Sequence, residues 1–361
     1  MAEILVTGGA GFIGSNFVHQ WRRDHPADSV LVVDVLTYAG NPANLDSLNG
    51  VTLEVADIRD CERMTQLLFD RDISTIVHFA AESHVDRSIT GPDAFVTTNV
   101  VGTHSLLKAA RAAWLDRGTG KPHRFHHVST DEVYGSLGPN DPAFHEETPY
   151  APNSPYSASK AGSDHLVRAY HHTYGLETTV TNCSNNYGPF QFPEKLIPLF
   201  LINALEGRPL PIYGDGMNVR DWLHVEDHCR GIALAIKQGR VGEIYNIGGG
   251  QELPNIEVVG EICRGIDAAF ACDPGLGSRF PDAPAARGKS TDTLKTYVAD
   301  RAGHDCRYAI DERKARRELG YLPARDFPQG FAETLAWYIA NESWWRPLLP
   351  ARTTVAEPVK A

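Results

Sequence analysis

Two acidic residues follow a threonine in the stretch "HVSTDEVYG" (residues 127–135). Buried carboxylates are costly unless charges or hydrogen bonds stabilise them, so Asp131 and Glu132 after an apolar run indicate a functional site. Two carboxyl groups in different surroundings can act as one general acid and one general base. The alternative interpretation is a helix N-terminus, with Thr130 as its cap and both acids near the helix dipole.

A tyrosine and a lysine in "YSASK" form a second candidate pair. Tyr156 and Lys160 are four positions apart, so they share one face of a predicted helix. A phenol titrates near pH ~10 in water, and a neighbouring ammonium favours the phenolate. The pair is therefore predicted to take a hydroxyl proton while a hydride leaves the same carbon. An exposed tyrosine and lysine without a catalytic role would give the same spacing.

The glycines of "VTGGAGFIG" predict a binding site for a pyrophosphate. Gly8, Gly11 and Gly14 directly follow the first predicted strand and open the first predicted helix. Glycine permits a tight turn and lets backbone N–H groups and the helix N-terminus approach the ligand. An ordinary glycine-rich turn is the alternative.

Carboxylates after the next two strands extend this site towards a dinucleotide. Asp34 ends the second predicted strand, about 20 residues after Gly14, where a carboxylate accepts from ribose hydroxyls. The same charge would repel a 2′-phosphate, which favours NAD over NADP; a turn or helix cap is the other role for Asp34. Asp57 and Ile58 are candidates for contacts with adenine, although a plain loop explains them almost as well.

Strand and helix patterns alternate through the first half of the chain. Such alternation predicts an α/β fold with a doubly wound parallel sheet of the Rossmann type, which places the strand ends at one edge. The predicted strands are 3–7, 29–34, 75–80, 125–129 and 177–183, and the predicted helices are 13–24, 60–69, 93–117 and 155–174.

The composition of successive segments suggests how the domains are arranged. Residues 1–185 are predicted to form the NAD-binding domain, to which parts of 220–250 return. Residues 186–345 are loop-rich, aromatic and basic, which is typical of a smaller, mainly substrate-binding lobe. The stretch 271–292 is rich in Pro, Gly and Ala and is predicted as a surface excursion, and 347–361 as a tail.

Composition narrows the class of protein. The chain has 361 residues, of which 42% are apolar and 22% charged, as in ordinary globular proteins. We expect no membrane span and no signal peptide, and hence a cytoplasmic protein. The net charge of −11 argues against nucleic acid or an acidic membrane as the main partner. The six scattered cysteines predict free thiols rather than disulfides or a zinc site.

Taken together, GxxGxxG and YxxxK resemble the extended short-chain dehydrogenase/reductase superfamily. Four further stretches, "AAESHVDRSI", "STDEVYG", "TNCSNNYGP" and "DRAGHD", are similar to the dTDP-glucose 4,6-dehydratases within it. The similarity covers residues 1–270 and 296–345. It departs in 271–295, in the tail and at Ala302, where the family usually has proline.

The resemblance implies an NAD-dependent hydro-lyase that converts dTDP-glucose to dTDP-4-keto-6-deoxyglucose without net redox change. C4 is oxidised, water leaves across C5 and C6, the hydride returns to C6 and a proton is restored at C5. Tyr156, assisted by Lys160 and Thr130, would take the C4 hydroxyl proton. Glu132 would take the C5 proton, and Asp131 would protonate the departing C6 hydroxyl.

The resemblance also implies two sets of binding residues. The cofactor set comprises Gly8, Gly11, Phe12, Ile13, Gly14, Asp34, Leu36, Thr37, Asp57, Ile58, Ala80, Ala81, Glu82, Thr98, Tyr156, Lys160 and Asn186. The substrate set comprises Ser83, His84, Thr130, Asn185, Lys195, Leu196, Pro211, Ile212, Tyr213, Arg220, Asn255, Arg301 and His304.

Several members of these sets have structural alternatives. Arg220 and Arg301 suit a diphosphate, since guanidinium groups bind phosphate oxygens in pairs. Arg220 could equally form a salt bridge between lobes, and His84 could be a hydrogen-bonded core histidine. Leu196 and Ile212 are equally well explained as core residues.

Two other functions compete with the dehydratase. A nucleotide-sugar 4-epimerase would share Tyr156, Lys160 and NAD but needs no adjacent acid–base pair. A non-catalytic NAD-binding regulator would typically lack the tyrosine or the lysine. Helices 93–117 and 155–174 could pair across a two-fold axis, so a homodimer is also expected.

Overall fold

The computed structural model describes residues 3–46, 48–118, 120–300 and 304–349. Its strands are β1 (Glu3–Thr7), β2 (Ser29–Asp34), β3 (Val51–Val55), β4 (Thr75–His78), β5 (Arg124–Thr130), β6 (Thr178–Cys183), β7 (Asn185–Tyr187), β8 (Leu210–Tyr213), β9 (Val219–His224), β10 (Ile244–Ile247), β11 (Glu252–Pro254) and β12 (Lys295–Val298). Its α-helices are α1 (Phe12–Asp24), α2 (Cys61–Asp70), α3 (Val85–Thr90), α4 (Asp93–Phe95), α5 (Thr103–Arg111), α6 (Pro155–Tyr174), α7 (Leu196–Leu205), α8 (Val225–Gln238), α9 (Asn255–Cys272), α10 (Leu276–Arg279), α11 (Arg313–Leu319), α12 (Phe327–Ala340) and α13 (Glu342–Trp345).

A seven-stranded parallel sheet forms the centre of the molecule, in the order β10-β6-β5-β4-β1-β2-β3. From β1 the chain winds outward through β2 and β3, and then in the other direction through β4, β5 and β6. The predicted doubly wound α/β fold is therefore confirmed. Strands such as "SVLVVD" are buried almost throughout, as expected for a sheet covered by helices on both faces. Because all the strands are parallel, their carboxyl ends meet at one edge.

Helix α6 has the predicted bounds because both of its ends carry strong local signals. The Ser154 hydroxyl accepts from the Ser157 backbone N–H, and the Ser157 side chain accepts from Ser154 in return. Pro155 occupies the first helical position, and Gly175 ends the helix with φ 76°. A capping box, an N-terminal proline and a left-handed glycine are each typical helix boundaries.

The predicted helix 93–117 is helical but not uniformly an α-helix. Two stretches with wider π-helical turns, Val96–Gly102 and Ala112–Asp116, flank α5. Such turns occur at functional sites. The first contains Thr98, which lines the cleft described below.

A second core lies in the C-terminal half. Residues of α7, α9 and α12, including Leu201, Ile262 and Phe331, pack into one apolar cluster. Leu276, Phe280 and Ala283 join the same cluster. The stretch 271–292, predicted as a surface excursion, thus contributes buried side chains to this core. The predicted domain bounds themselves stay a prediction.

Some predictions concern the molecule as a whole. Among the described residues, no helix has both the length and the apolar character needed to cross a bilayer. All six cysteines are free thiols. The predicted tail 347–361 is described only to residue 349, and its remainder lies outside the described residues.

Candidate active site

A cleft of about 380 Å³ opens at the carboxyl edge of the sheet. It lies where the strand order reverses beside β1, the usual ligand position in doubly wound sheets. The predicted residues that line it are Gly8, Gly11, Phe12, Ile13, Gly14, Asp34, Thr37, Asp57, Ile58, Ala80, Ala81, Glu82, Ser83, Thr98, Thr130, Asp131, Glu132, Tyr156, Lys160, Asn185, Asn186 and Lys195.

The glycine turn forms a cradle that side chains would fill. Gly8 has φ +70°, and a Cβ there would lie 2.6 Å from the Ala80 backbone nitrogen. A Cβ at Gly14 would lie 2.3 Å from the Gly8 carbonyl oxygen. No side chain caps the N-terminus of α1 at Gly11, and its first turn holds no acid. The turn therefore suits an anionic ligand such as a pyrophosphate.

Asp34 is held rigidly at the end of β2. Its two carboxylate oxygens accept from the backbone N–H groups of Ala10 at 3.0 Å and Leu36 at 2.9 Å. Burial raises the pKa of Asp34, although both hydrogen bonds oppose that shift. Leu36 has φ 54°, does not line the cleft and packs against an apolar cluster of the sheet. Its backbone N–H orients Asp34, and its contact with the cofactor stays a prediction.

Asp131 and Glu132 begin a short 3₁₀-helix, Asp131–Tyr134, which Thr130 caps by accepting from the Glu132 backbone N–H at 3.3 Å. The capping interpretation of Thr130 is thus correct, but it does not exclude chemistry, since all three residues line the cleft. Asp131 is only 1% exposed, and its Oδ2 has no hydrogen-bond partner among the described residues.

The surroundings of Asp131 favour its protonated form. Burial is the largest cause that raises the pKa of this carboxyl well above its ordinary value, and the nearby charges of Glu132 and Asp221 add to it. Arg220 and the Thr130 hydroxyl oppose the shift. Glu132 itself is only half-buried. The two adjacent acids therefore lie in different environments, as an acid–base pair requires.

Tyr156 is buried and hydrogen-bonds Thr130. Burial, followed by the Glu132 charge, raises the pKa of Tyr156 well above its ordinary value. The sequence argument predicted the opposite direction and is wrong on this point. The helix spacing does not reveal that Lys160 donates to the Val128 carbonyl at 2.8 Å or that the phenol is desolvated. Burial also lowers the pKa of Lys160.

Arg220 does not line the cleft and is only 5% exposed. Its guanidinium donates to the backbone carbonyls of Val219 at 2.7 Å and Asp305 at 2.9 Å, and lies 4.4 Å from the ring centroid of Tyr308. Its positive charge lowers the pKa of Asp131 and so partly offsets the effect of burial. Backbone carbonyls and an aromatic ring thus hold the guanidinium of Arg220, the side chain that was predicted to bind the diphosphate.

Among the described residues, the other predicted substrate residues that do not line the cleft belong to several different elements. Pro211, Ile212 and Tyr213 are on β8, and Asn255 begins α9. Ile212 is in the second core and Leu196 packs against it, in agreement with the core alternative. His304 lies 2.6 Å from Asp300. His84 caps α3 and approaches Glu194 at 3.7 Å. Arg301 lies outside the described residues.

The sequence analysis missed a group of cleft residues in the loop after β7. Gln191, Phe192 and Glu194 all line the cleft. Glu194 accepts from the Tyr38 hydroxyl at 3.1 Å and pairs with Arg87 at 3.3 Å. The only sequence signal was the position of Glu194 beside Lys195 in "FPEKL".

These features define a class of protein. A parallel doubly wound sheet with a glycine turn after β1, an acid at the end of β2 and a buried tyrosine–lysine pair is the arrangement of an extended short-chain dehydrogenase/reductase. The family model described as GDP-mannose 4,6 dehydratase matches residues 5–334.

Individual relatives narrow the class. A dTDP-glucose 4,6-dehydratase of Neisseria meningitidis serogroup B is 52% identical, over 97% of this chain and 96% of its own length. The solved structure of the dTDP-glucose 4,6-dehydratase DesIV from Streptomyces venezuelae, with NAD bound, is 50% identical, with a TM-score of 0.84 over 96% of this chain and 100% of its own. A UDP-glucose 4-epimerase from Thermotoga maritima is 27% identical, with a TM-score of 0.78 over 94% of this chain and 99% of its own. The chain belongs to the dTDP-glucose 4,6-dehydratase family.

Proposed function

We propose that this chain is an NAD-dependent hydro-lyase that converts dTDP-glucose into dTDP-4-keto-6-deoxyglucose. The observation that carries the proposal is the buried Asp131 carboxyl beside the half-buried Glu132, in the same cleft as Tyr156 and the glycine turn. Relatives named dTDP-glucose 4,6-dehydratase match nearly the whole chain.

NAD fits the residues at the dinucleotide end of the cleft. The turn from Gly8 to Gly14 leaves a cradle that a Cβ would fill, and Asp34 presents a fixed carboxylate for ribose hydroxyls. Further residues proposed to contact the cofactor are Phe12, Ile13, Thr37, Asp57, Ile58, Ala80, Ala81, Glu82, Thr98, Lys160 and Asn186. NAD supplies the acceptor, and after reduction the donor, of one hydride.

Tyr156 takes the proton of the sugar C4 hydroxyl. Burial disfavours the phenolate, which is a strong base once it forms, and the hydrogen bond with Thr130 eases its formation by lowering the pKa. The Lys160 ammonium is buried nearby and supports the phenolate electrostatically. The C4 ketone that results makes the C5 hydrogen acidic.

Glu132 and Asp131 then carry out the elimination. Glu132, the more exposed carboxylate, takes the C5 proton. Asp131, held protonated by burial and by the charge of Glu132, gives its proton to the C6 hydroxyl, which leaves as water. The substrate residues that remain proposals are Ser83, His84, Asn185, Lys195, Leu196, Pro211, Ile212, Tyr213, Arg220, Asn255, Arg301 and His304.

The competing 4-epimerase is disfavoured by Asp131. Epimerisation at C4 needs the tyrosine, the lysine and NAD, but no proton donor for a leaving hydroxyl. Burying the Asp131 carboxyl is energetically costly, and the raised pKa that results suits a proton donor. Such a donor is needed for the dehydration but not for the epimerisation.

Mass spectrometry of the product distinguishes these functions. Purified protein incubated with dTDP-glucose should give a product lighter by one water. UDP-glucose and GDP-glucose serve as matched controls that differ in the nucleotide. A product of unchanged mass would indicate the epimerase. The absence of turnover with all three sugars would indicate a non-catalytic NAD-binding protein.

The assembly and the compartment belong to the same proposal. We infer a homodimer in which α5 and α6, which pack side by side, pair with their copies. Val96 and Val101 beside α5 are exposed apolar residues that such an interface would cover. Six free thiols are consistent with a reducing, cytoplasmic setting.

A further inference from the structure

A third functional group extends the tyrosine–lysine face of α6. Asp164 follows Lys160 by four positions, so Tyr156, Lys160 and Asp164 lie along one side of the helix. Asp164 is almost completely buried. Three groups donate to its carboxylate: the Ser129 hydroxyl at 2.8 Å, the Tyr150 hydroxyl at 3.0 Å and the His127 ring at 3.1 Å.

His127 lies between this carboxylate and the Lys160 ammonium. Its Nε2 is 3.1 Å from Asp164 Oδ1 and 3.5 Å from Lys160 Nζ. The Ser163 hydroxyl donates to the Lys160 carbonyl at 2.7 Å, so towards His127 it can only accept, at 3.3 Å. The network therefore assigns the ring hydrogen to Nε2. His127 is neutral, because burial and the charge of Lys160 hold its pKa well below the ordinary value.

Lys160 depends on Asp164 for its charge. A buried ammonium is unfavourable unless an opposite charge and hydrogen bonds compensate its desolvation. Lys160 donates to the Val128 carbonyl, a neutral group, and Asp164 is the foremost charge that favours its protonated form. Lys160 favours the Asp164 carboxylate in return.

We propose that Asp164 is a positioning residue for the dehydratase reaction: across the neutral His127 ring, its carboxylate keeps Lys160 an ammonium next to Tyr156. This inference rests on the proposed function only for the identity of the substrate. The Lys160 charge assists removal of the C4 hydroxyl proton, a step that a dehydratase and an epimerase share.

Titratable groups on several elements surround Asp164. His165 lies on the same helix, Tyr150 on the loop before it and Tyr134 on the 3₁₀-helix after β5. Burial is the largest influence and raises the pKa of Asp164 to about 6, while the positive charges of Lys160 and His165 lower it. At pH 7 the carboxylate is thus ionised, and it becomes protonated as the pH falls through about 6.

The test is the pH dependence of the first hydride transfer, followed by the absorbance of reduced nicotinamide in the full-length protein with NAD and dTDP-glucose. Asp164→Asn should lower kcat on the order of tenfold or more, because the negative charge that favours the protonated lysine is lost. KM should change little, and the fall in kcat below about pH 6 should disappear. Asp164→Glu should restore part of kcat and the fall in kcat at low pH, which we call the acid limb.

Glu261→Gln is the matched control, since Glu261 is an acid on α9 that pairs at the surface with Arg264 at 2.5 Å. It should leave kcat, KM and the pH profile at wild-type values. A wild-type kcat in Asp164→Asn, an acid limb that persists in it, or no recovery in Asp164→Glu would overturn the proposal.

If Asp164→Asn does not fold, Tyr150→Phe and Ser129→Ala decide the question. Each removes one donor to the ionised carboxylate, so the pKa of Asp164 should rise and the acid limb should move to higher pH. An unmoved limb in both variants would overturn the proposal. Failure of the wild type to release water would instead reject only the dehydratase, because the nicotinamide signal reports the shared oxidation step.

Discussion

At the scale of single residues, Asp131 and Glu132 show how neighbours in sequence acquire different chemistry. Both side chains line the cleft, but Asp131 is almost fully buried and lies within range of the charge of Asp221 on β9, whereas Glu132 is partly exposed. The difference in burial, rather than the type of side chain, separates the acid from the base. The burial was not visible in the letters "STDE", although the motif did indicate the pair.

Asp131→Asn should allow C4 oxidation but slow elimination. The amide keeps the shape of the carboxyl but has no acidic proton for the leaving hydroxyl, so product formation should fall roughly 10²–10⁴-fold. Stopped-flow absorbance should show reduced nicotinamide that accumulates and persists. Glu132→Gln should also block elimination, through loss of the C5 base, and serves as the comparison. Loss of nicotinamide reduction in both folded variants would contradict the assigned roles.

The pH dependence of the wild type follows from the same residue. Burial raises the pKa of Asp131 well above its ordinary value, so the acid form is lost only as the pH rises through that raised value. Elimination, measured by release of the 4-keto product, should therefore decline on the alkaline side. The profile of Asp131→Asn, in which nothing titrates at this position, should lack that decline. An identical alkaline limb in both proteins would reject the assignment.

At the scale of elements, hydrophobic periodicity and boundary residues identified most of the sheet and its helices. Alternating patterns, buried runs and the capping signals of α6 are local properties, which is why these bounds were predictable. The contribution of Gln191, Phe192 and Glu194 to the cleft was not predictable, because the path of a loop depends on contacts such as that between Tyr38 and Glu194, which are 156 positions apart. The predicted direction of the Tyr156 pKa shift was wrong for a related reason, because spacing along a helix does not reveal whether a side chain is desolvated.

The glycine turn offers a test at this scale. Gly14→Ala places a Cβ 2.3 Å from the Gly8 carbonyl oxygen, so the backbone must shift and the cradle for the pyrophosphate deforms. We expect the variant to lose bound NAD, measured by the cofactor released on denaturation. Gly260→Ala on α9 is the matched control. Its Cβ would meet only the flexible end of Arg264, and helix propensity predicts a gain of about 1 kcal/mol. Equal NAD content in both variants would argue against the turn as the binding site.

At the scale of the whole molecule, the order of the strands brings residues from distant parts of the chain together in one cleft. Gly8, Asp34, Thr130 and Cys183 belong to or follow different strands of the sheet, and all line one cleft. The sequence predicted this convergence because parallel strands end at a common edge. It could not predict how β7, β9 and β11 join in a separate sheet, or that Arg220 is enclosed by Tyr308 and backbone carbonyls.

The proposed homodimer is also tested at this scale. Light scattering should give twice the mass of one chain. Val101→Glu should reduce that mass, because Val101 is 49% exposed beside α5 and a charge would be buried in the interface. Val55→Glu, at a valine 62% exposed on the edge strand β3, should leave it unchanged. A single-chain mass for the wild type would reject the dimer without affecting the chemistry.

The central claim is that one hydride leaves C4 of the sugar and returns to C6 of the same molecule while water is lost. Purified protein supplied with dTDP-glucose deuterated at C4 tests it directly by NMR and mass spectrometry of the product. The account predicts a product lighter by one water that carries deuterium at C6. A product of unchanged mass with deuterium at C4, or deuterium released into added nicotinamide, would contradict it.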